Sequence, residues 1–228
     1  MRVLLFGATG MVGQGVLREC MEAPDVTEVV AIVRSPLDRI PSLKLTEMIH
    51  RDFFNWSGVD LSGFDACFFC LGVSALGKKE AEYRRVSYDL TIALAEALLK
   101  QSPQAVFVYV SGAGTNAQGR QMWARVKGAT ENALLAMPFR AVYCFRPGYI
   151  QPLHGVRSKV GWYNAMYSML GWAEPLMLRF ARKYATTTET VGCAMLTVAR
   201  SGWPQHVFES TEINAAAEQP PPAASARS

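Results

Sequence analysis

The sequence predicts an α/β fold, a doubly wound and mostly parallel sheet with helices on both faces. Three observations predict it. Short apolar runs alternate with stretches of helical periodicity along most of the 228 residues. A glycine-rich turn, Gly7-Ala8-Thr9-Gly10-Met11-Val12-Gly13, joins the first apolar run to the first helical stretch. The later apolar runs also end in small or turn-forming residues: Arg34-Ser35, Gly72, Ser111-Gly112 and Pro147-Gly148.

Val3 to Phe6 reads as a buried strand, and from Met11 the apolar positions Val12, Val16, Leu17 and Cys20 recur at helical spacing. A helix N-terminus behind a glycine turn offers free N–H groups and a partial positive charge to a phosphate. Gly7 would permit the tight turn, Gly10 the approach of a pyrophosphate, and Gly13 the close packing of helix on strand. Thr9, Met11 and Val12 complete the expected cradle, so a dinucleotide is the expected ligand and the sheet the Rossmann type.

Glu28 to Val33 is the second strand, and Arg34 and Ser35 follow it. An acidic residue there would accept bonds from a ribose 2′-hydroxyl. Arg34 is instead a planar donor suited to a 2′-phosphate, with Ser35 as a further hydroxyl, so NADP(H) is expected over NAD(H). Leu43 to His50 is a third strand, followed by Asp52, which would bond an adenine amino group or cap a turn. Phe64 to Leu71 is the fourth. Leu71 and Gly72 at its end would lie against the cofactor's ribose and phosphates. A long helix opens at Gly77 to Glu80 and closes at Pro103. Ala105 to Val110 is the fifth strand, about Gln121 to Met137 the next helix, and Arg140 to Phe145 the sixth strand, ending in Pro147 and Gly148, which would shape the floor under a nicotinamide ring. Arg146 before them would face the nicotinamide or join a surface ion pair.

Residues 158 to 183 are rich in Trp, Tyr and Met and read as a lid for an apolar substrate or as a packed cap or dimer face. Thr188 to Ala199 opens on a capping signal and reads as a helix. The expected organisation is one domain over residues 1–214, with cap elements at about 151–185 and a disordered tail at 215–228, where Ala, Pro and Ser dominate. The two long helices after strands four and five offer a face for a homodimer.

The net charge is only +4, and the sequence has no basic run of the kind that marks a nucleic-acid face. Gly161 to Leu178 comes nearest to a membrane span but carries Asn164, Glu174 and Pro175, so no stable insertion is expected. The chain starts directly on a strand, leaving no room for a signal peptide, and its five cysteines read as reduced thiols. The cytoplasm is the expected setting. Cys67 and Cys70 form a C-x-x-C, but strand alternation would send them to opposite faces. The three histidines stand apart from other ligand residues, so no metal site is expected.

Through GATGMVGQG, LGVSA, VSGAGT, the Trp123-to-Glu131 helix and RPGYI, the first 200 residues resemble the atypical short-chain dehydrogenase/reductases. That superfamily also holds sugar-nucleotide epimerases, and within it the small oxidoreductases similar to Tat-interacting protein 30 look nearest. The resemblance implies a nicotinamide cofactor and a Tyr-x-x-x-Lys site with a serine at the end of strand five. Lys127 matches the lysine, which holds the nicotinamide ribose and lowers the tyrosine pKa, and Ser111 matches the serine. Trp123 stands at the tyrosine position, and an indole N–H is no acid–base at neutral pH. Tyr149, Tyr163 or a water held by Ser111 and Lys127 would then supply the proton. Two functions stay open: an NADP(H)-linked oxidoreductase on a small carbonyl or hydroxyl compound, or a cofactor-binding sensor or interaction protein.

Overall fold

The structure, a computed structural model, describes residues 1–37, 42–155 and 184–219. Its centre is a seven-stranded, all-parallel sheet. In chain order come β1 (Arg2–Phe6), α1 (Met11–Glu22), β2 (Glu28–Val33), β3 (Leu45–Ile49), β4 (Ala66–Phe69) and α2 (Glu80–Arg84). A π-helical turn over Arg85–Asp89 runs on into α3 (Leu90–Gln101), followed by β5 (Val106–Val110), α4 (Met122–Leu135) and β6 (Ala141–Arg146). The described chain ends with β7 (Tyr149–Gln151), β8 (Ala185–Thr187), α5 (Thr188–Ser201), β9 (Val207–Glu209) and α6 (Ser210–Ala217).

The strand order is β3-β2-β1-β4-β5-β6-β9, and every pair is parallel. β1, β2, β4 and β5 are almost continuously apolar because both faces of a parallel sheet are covered. One face packs on α1 and α5 through Leu5, Val16, Phe145 and Met195. The other packs on α3 and α4 through Phe6, Leu94, Phe107 and Leu134. Cys67 lies in the second cluster and Cys70 in the first, so the C-x-x-C thiols do face opposite ways, and burial raises both thiol pKa values. The order reverses direction between β1 and β4, and such sheets open a crevice there, beyond their carboxyl ends.

Three expectations change. The sheet has a seventh strand, β9, on the outer side of β6. Residues 215–217 are not a disordered tail: α6 runs to Ala217 and buries Ile213 and Ala216 completely. A reciprocal capping box between Glu209 and Glu212 starts this helix, and alanine is the best helix former, so an alanine run that looks featureless in composition continues it. The long helix after β4 is interrupted by the π turn. The aromatic segment at 158–183, with Tyr163, and the tail from residue 220 lie outside the described residues. The expected start of α5 is right: the Thr187 hydroxyl accepts from the Thr190 N–H.

Candidate functional site

The glycine turn is built by contact. Gly7 has φ of +81°, and a side chain there would come within 2.7 Å of the Cys70 carbonyl at the end of β4. A Cβ on Gly13 would overlap the Gly7 carbonyl oxygen, so α1 sits directly on the turn. Gly10 N–H donates to the Gly7 carbonyl at 2.8 Å, closing the loop. No side chain caps α1 and its first turn holds no acidic residue, which leaves the positive end of the helix open to an anion.

A cavity of about 1040 Å³ opens at this rim. Gly7, Thr9, Gly10, Met11 and Val12 line it on the β1 side, with Arg34 beyond β2. Leu71 and Gly72 line it after β4, and Ser111 after β5. Lys127 on α4, then Pro147 and Gly148 after β6, complete the ring of expected residues. Residues from six separate regions of sequence thus meet in one crevice. Its size and its glycine-lined, helix-capped end fit an extended dinucleotide. Gly13 stands behind the turn.

Three expected residues fall elsewhere, and Arg146 takes the ion-pair alternative. Asp52 caps a turn: its carboxylate accepts from the Phe54 N–H at 3.1 Å, and it does not line the cavity. Ser35 is exposed and does not line it either. Tyr149 is likewise absent from the described lining, whereas its neighbour Ile150 is present, because alternation along β7 sends the two side chains opposite ways. Arg146 faces away from a cofactor role: its guanidinium forks onto the Glu131 carboxylate through Nε at 3.0 and 3.2 Å and also reaches Glu209.

Trp123, Lys127 and Glu131 follow each other at four-residue steps on one face of α4. Lys127 Nζ donates to the Ser111 carbonyl at 2.7 Å. Burial of the ammonium pulls its pKa down to about 8, against a smaller upward pull from the Glu131 carboxylate. The Ser111 hydroxyl lies 3.0 Å from that of Thr115, whose single proton goes to the Gly112 carbonyl at 2.7 Å. Ser111 is therefore the donor in that pair, and its lone pairs remain for the cavity. Trp123 Nε1 donates to the Gln121 side-chain oxygen at 3.0 Å.

Sequence reasoning missed Tyr83, Thr115, Gln121 and Glu131. Tyr83, only 2 % exposed, brings a phenol to the cavity from α2, its pKa raised by burial against a weaker opposing bond from Ser87. Nothing in the local sequence marks it. Thr115 had a signal, as it stands four residues after Ser111 inside the VSGAGT motif. Among the described residues no group of metal-ligating side chains converges, and no helix is long and apolar enough to cross a membrane.

No family model matches the sequence. Protein FMP52, mitochondrial, of Saccharomyces cerevisiae is 32 % identical over 162 residues, spanning 69 % of this chain and 68 % of that protein. The protein of the same name from Eremothecium gossypii is 30 % identical over 173 residues, 75 % of each chain. These names overturn the cytoplasmic expectation, which was argued from signals for secretion and membrane insertion; neither kind of signal bears on delivery to mitochondria. Among solved structures, MoeE5 in complex with UDP-glucose and NAD superposes with a TM-score of 0.65 at 22 % identity, covering 92 % of this chain and 75 % of that one. The human epimerase family protein SDR39U1 with NADPH gives 0.62 at 17 %, covering 92 % and 73 %. At these identities the likeness establishes the Rossmann-like fold of the short-chain dehydrogenase/reductase and epimerase proteins.

Proposed function

The chain belongs to the FMP52 family, and on that premise we propose that it is an NADP(H)-dependent oxidoreductase acting on a carbonyl or hydroxyl group of a small molecule. The observation that carries the proposal is the convergence of the glycine turn, Ser111 and the Lys127 ammonium on one crevice at the strand-order reversal. Arg34 supports NADP(H) over NAD(H), since an exposed guanidinium on the cavity wall past β2 suits a 2′-phosphate. The likeness to the Tat-interacting protein 30-like oxidoreductases belongs to the same proposal.

When bound, the cofactor supplies or accepts a hydride. The chain's own residues do the rest. The α1 N-terminus receives the pyrophosphate. Lys127 donates to the ribose hydroxyls from a position fixed by the Ser111 carbonyl. The Ser111 hydroxyl sits where a substrate oxygen would lie, and turning from Thr115 lets it donate to that oxygen. A water between Ser111 and Lys127 carries the proton that a tyrosine at position 123 would have carried.

Trp123 favours a second reading, a cofactor-binding sensor or interaction protein without turnover. Following NADPH oxidation with a panel of aldehydes and ketones separates the two. Turnover lost roughly 10²-fold or more in Ser111→Ala and Lys127→Ala supports the reductase. Cofactor binding with no turnover supports the sensor, and absence of binding contradicts both.

A further inference from the structure

Beyond Lys127 the cavity wall turns apolar. After β4, the loop from Gly72 to Lys79 is held as a turn: the Ser74 hydroxyl accepts from the Leu76 N–H at 3.2 Å, and Lys78 N–H donates to the Ala75 carbonyl at 3.1 Å. That turn presents Val73 at 40 % exposure and Leu76 at 81 %, both on the cavity rim. Met122 and Trp123 line the same cavity from α4, where the neighbouring Gln121 amide is held by the Trp123 indole, and Ile150 lines it from β7. A leucine held this far into solvent by an ordered turn has apolar area to bury. Among the described lining residues only Arg34 and Lys127 carry charge, and Arg34 follows β2, three strands across the sheet from β5 and the helix α4 that succeeds it.

We infer that the substrate is an uncharged carbonyl compound with an aliphatic body, of the medium-chain aldehyde kind, whose chain lies against Val73, Leu76, Trp123 and Ile150. This rests on the oxidoreductase reading above and narrows it to one substrate class. The carbonyl end reaches Ser111 at the polar end of the wall. In reduction, the carbonyl carbon takes a hydride with its two electrons from NADPH, the C=O π bond becomes the oxygen's lone pair, and that oxygen takes one proton, which solvent H⁺ replaces on the relaying water between Ser111 and Lys127. The products are a primary alcohol and NADP⁺. A nucleotide sugar, as bound by MoeE5, would instead set a diphosphate against this apolar wall.

Calorimetry on the full chain saturated with NADP⁺ tests the inference, with decanamide as an unreactive carbonyl probe. Decanamide binds, roughly tenfold more weakly for each two carbons removed as the probe shortens to octanamide and hexanamide. Leu76→Asp, a change at an exposed position, weakens decanamide by at least tenfold and leaves NADP⁺ binding unchanged. No decanamide binding to NADP⁺-loaded protein, tighter binding of UDP-glucose than of decanamide, or indifference to Leu76→Asp each overturns the substrate class while leaving the oxidoreductase reading in place. Failure of NADP⁺ itself to bind overturns both.

Discussion

The Lys127 ammonium donates to the main-chain carbonyl of Ser111 across 2.7 Å, tying α4 to the end of β5. The two residues are thus joined through the backbone, leaving the serine hydroxyl to Thr115. The bond holds the ammonium in a buried place, and it is the desolvation there that lowers its pKa to about 8, against an ordinary 10.5.

That depression has a sign. Below about pH 8 the folded protein holds a desolvated ammonium at a cost, and between about 8 and 10.5 the unfolded chain binds more protons than the folded one. The contribution of Lys127 to stability therefore rises with pH across that window. Urea unfolding of wild type and Lys127→Met at both ends of the window is expected to show the wild type gaining relative to the variant as pH rises. NADPH affinity should move the other way, declining above about pH 8 in the wild type as the ammonium loses its charge, and staying flat in the variant.

Glu131 is 1 % exposed and holds Arg146 by a fork of hydrogen bonds. Removing Glu131 leaves the part-buried Arg146 guanidinium with only the more exposed Glu209 as partner, which costs about 3 kcal/mol, the low end for breaking a buried pair. Glu131→Ala is expected to destabilise by that order in urea unfolding. Glu131→Leu with Arg146→Met should recover much of it. The single variant should also lower the Lys127 pKa further, since the Glu131 carboxylate raises it.

Gly13→Ala would drive a methyl group into the Gly7 carbonyl. Either α1 lifts from the turn or the turn opens, and overpacking of this kind costs about 1–3 kcal/mol. Loss of stability in urea should come with loss of nucleotide binding, because the same carbonyl shapes the phosphate cradle. A variant that binds NADPH as the wild type does would contradict the cradle.

Trp123→Tyr creates a Tyr-x-x-x-Lys pair on one face of α4. If the proton now travels through water, this change raises the rate of NADPH-linked carbonyl reduction, toward the 10²–10⁴-fold that a positioned acid contributes. Steady-state kinetics at saturating NADPH reads the outcome directly. An unchanged or lower rate would argue that the indole itself is needed.

The parallel sheet was legible because its inner strands are buried on both faces and read as unbroken apolar runs. The glycine turn was legible for a steric reason, since Gly7 and Gly13 stand where no side chain fits. β9 was not: three residues, Val207–Glu209, carry no periodicity, and only the free edge of β6 makes them a strand. The parity of β7 was hidden too. Whether Tyr149 or Ile150 faces the cavity depends on pairing with Ala185 and Thr186, more than thirty residues on. Asp52 had two local meanings, and the contact with the Phe54 N–H chose the turn. Tyr83 and Leu76 reach the cavity from the helix and loop after β4, so their roles come from tertiary placement alone.

The measurement that bears most directly on the central claim is calorimetric titration of the full chain with NADPH, beside NADH and beside an Arg34→Ala variant. Tighter binding of NADPH than of NADH, with the preference lost in the variant, is the predicted result. No binding of either nucleotide would contradict it, and the oxidoreductase reading would fall with it.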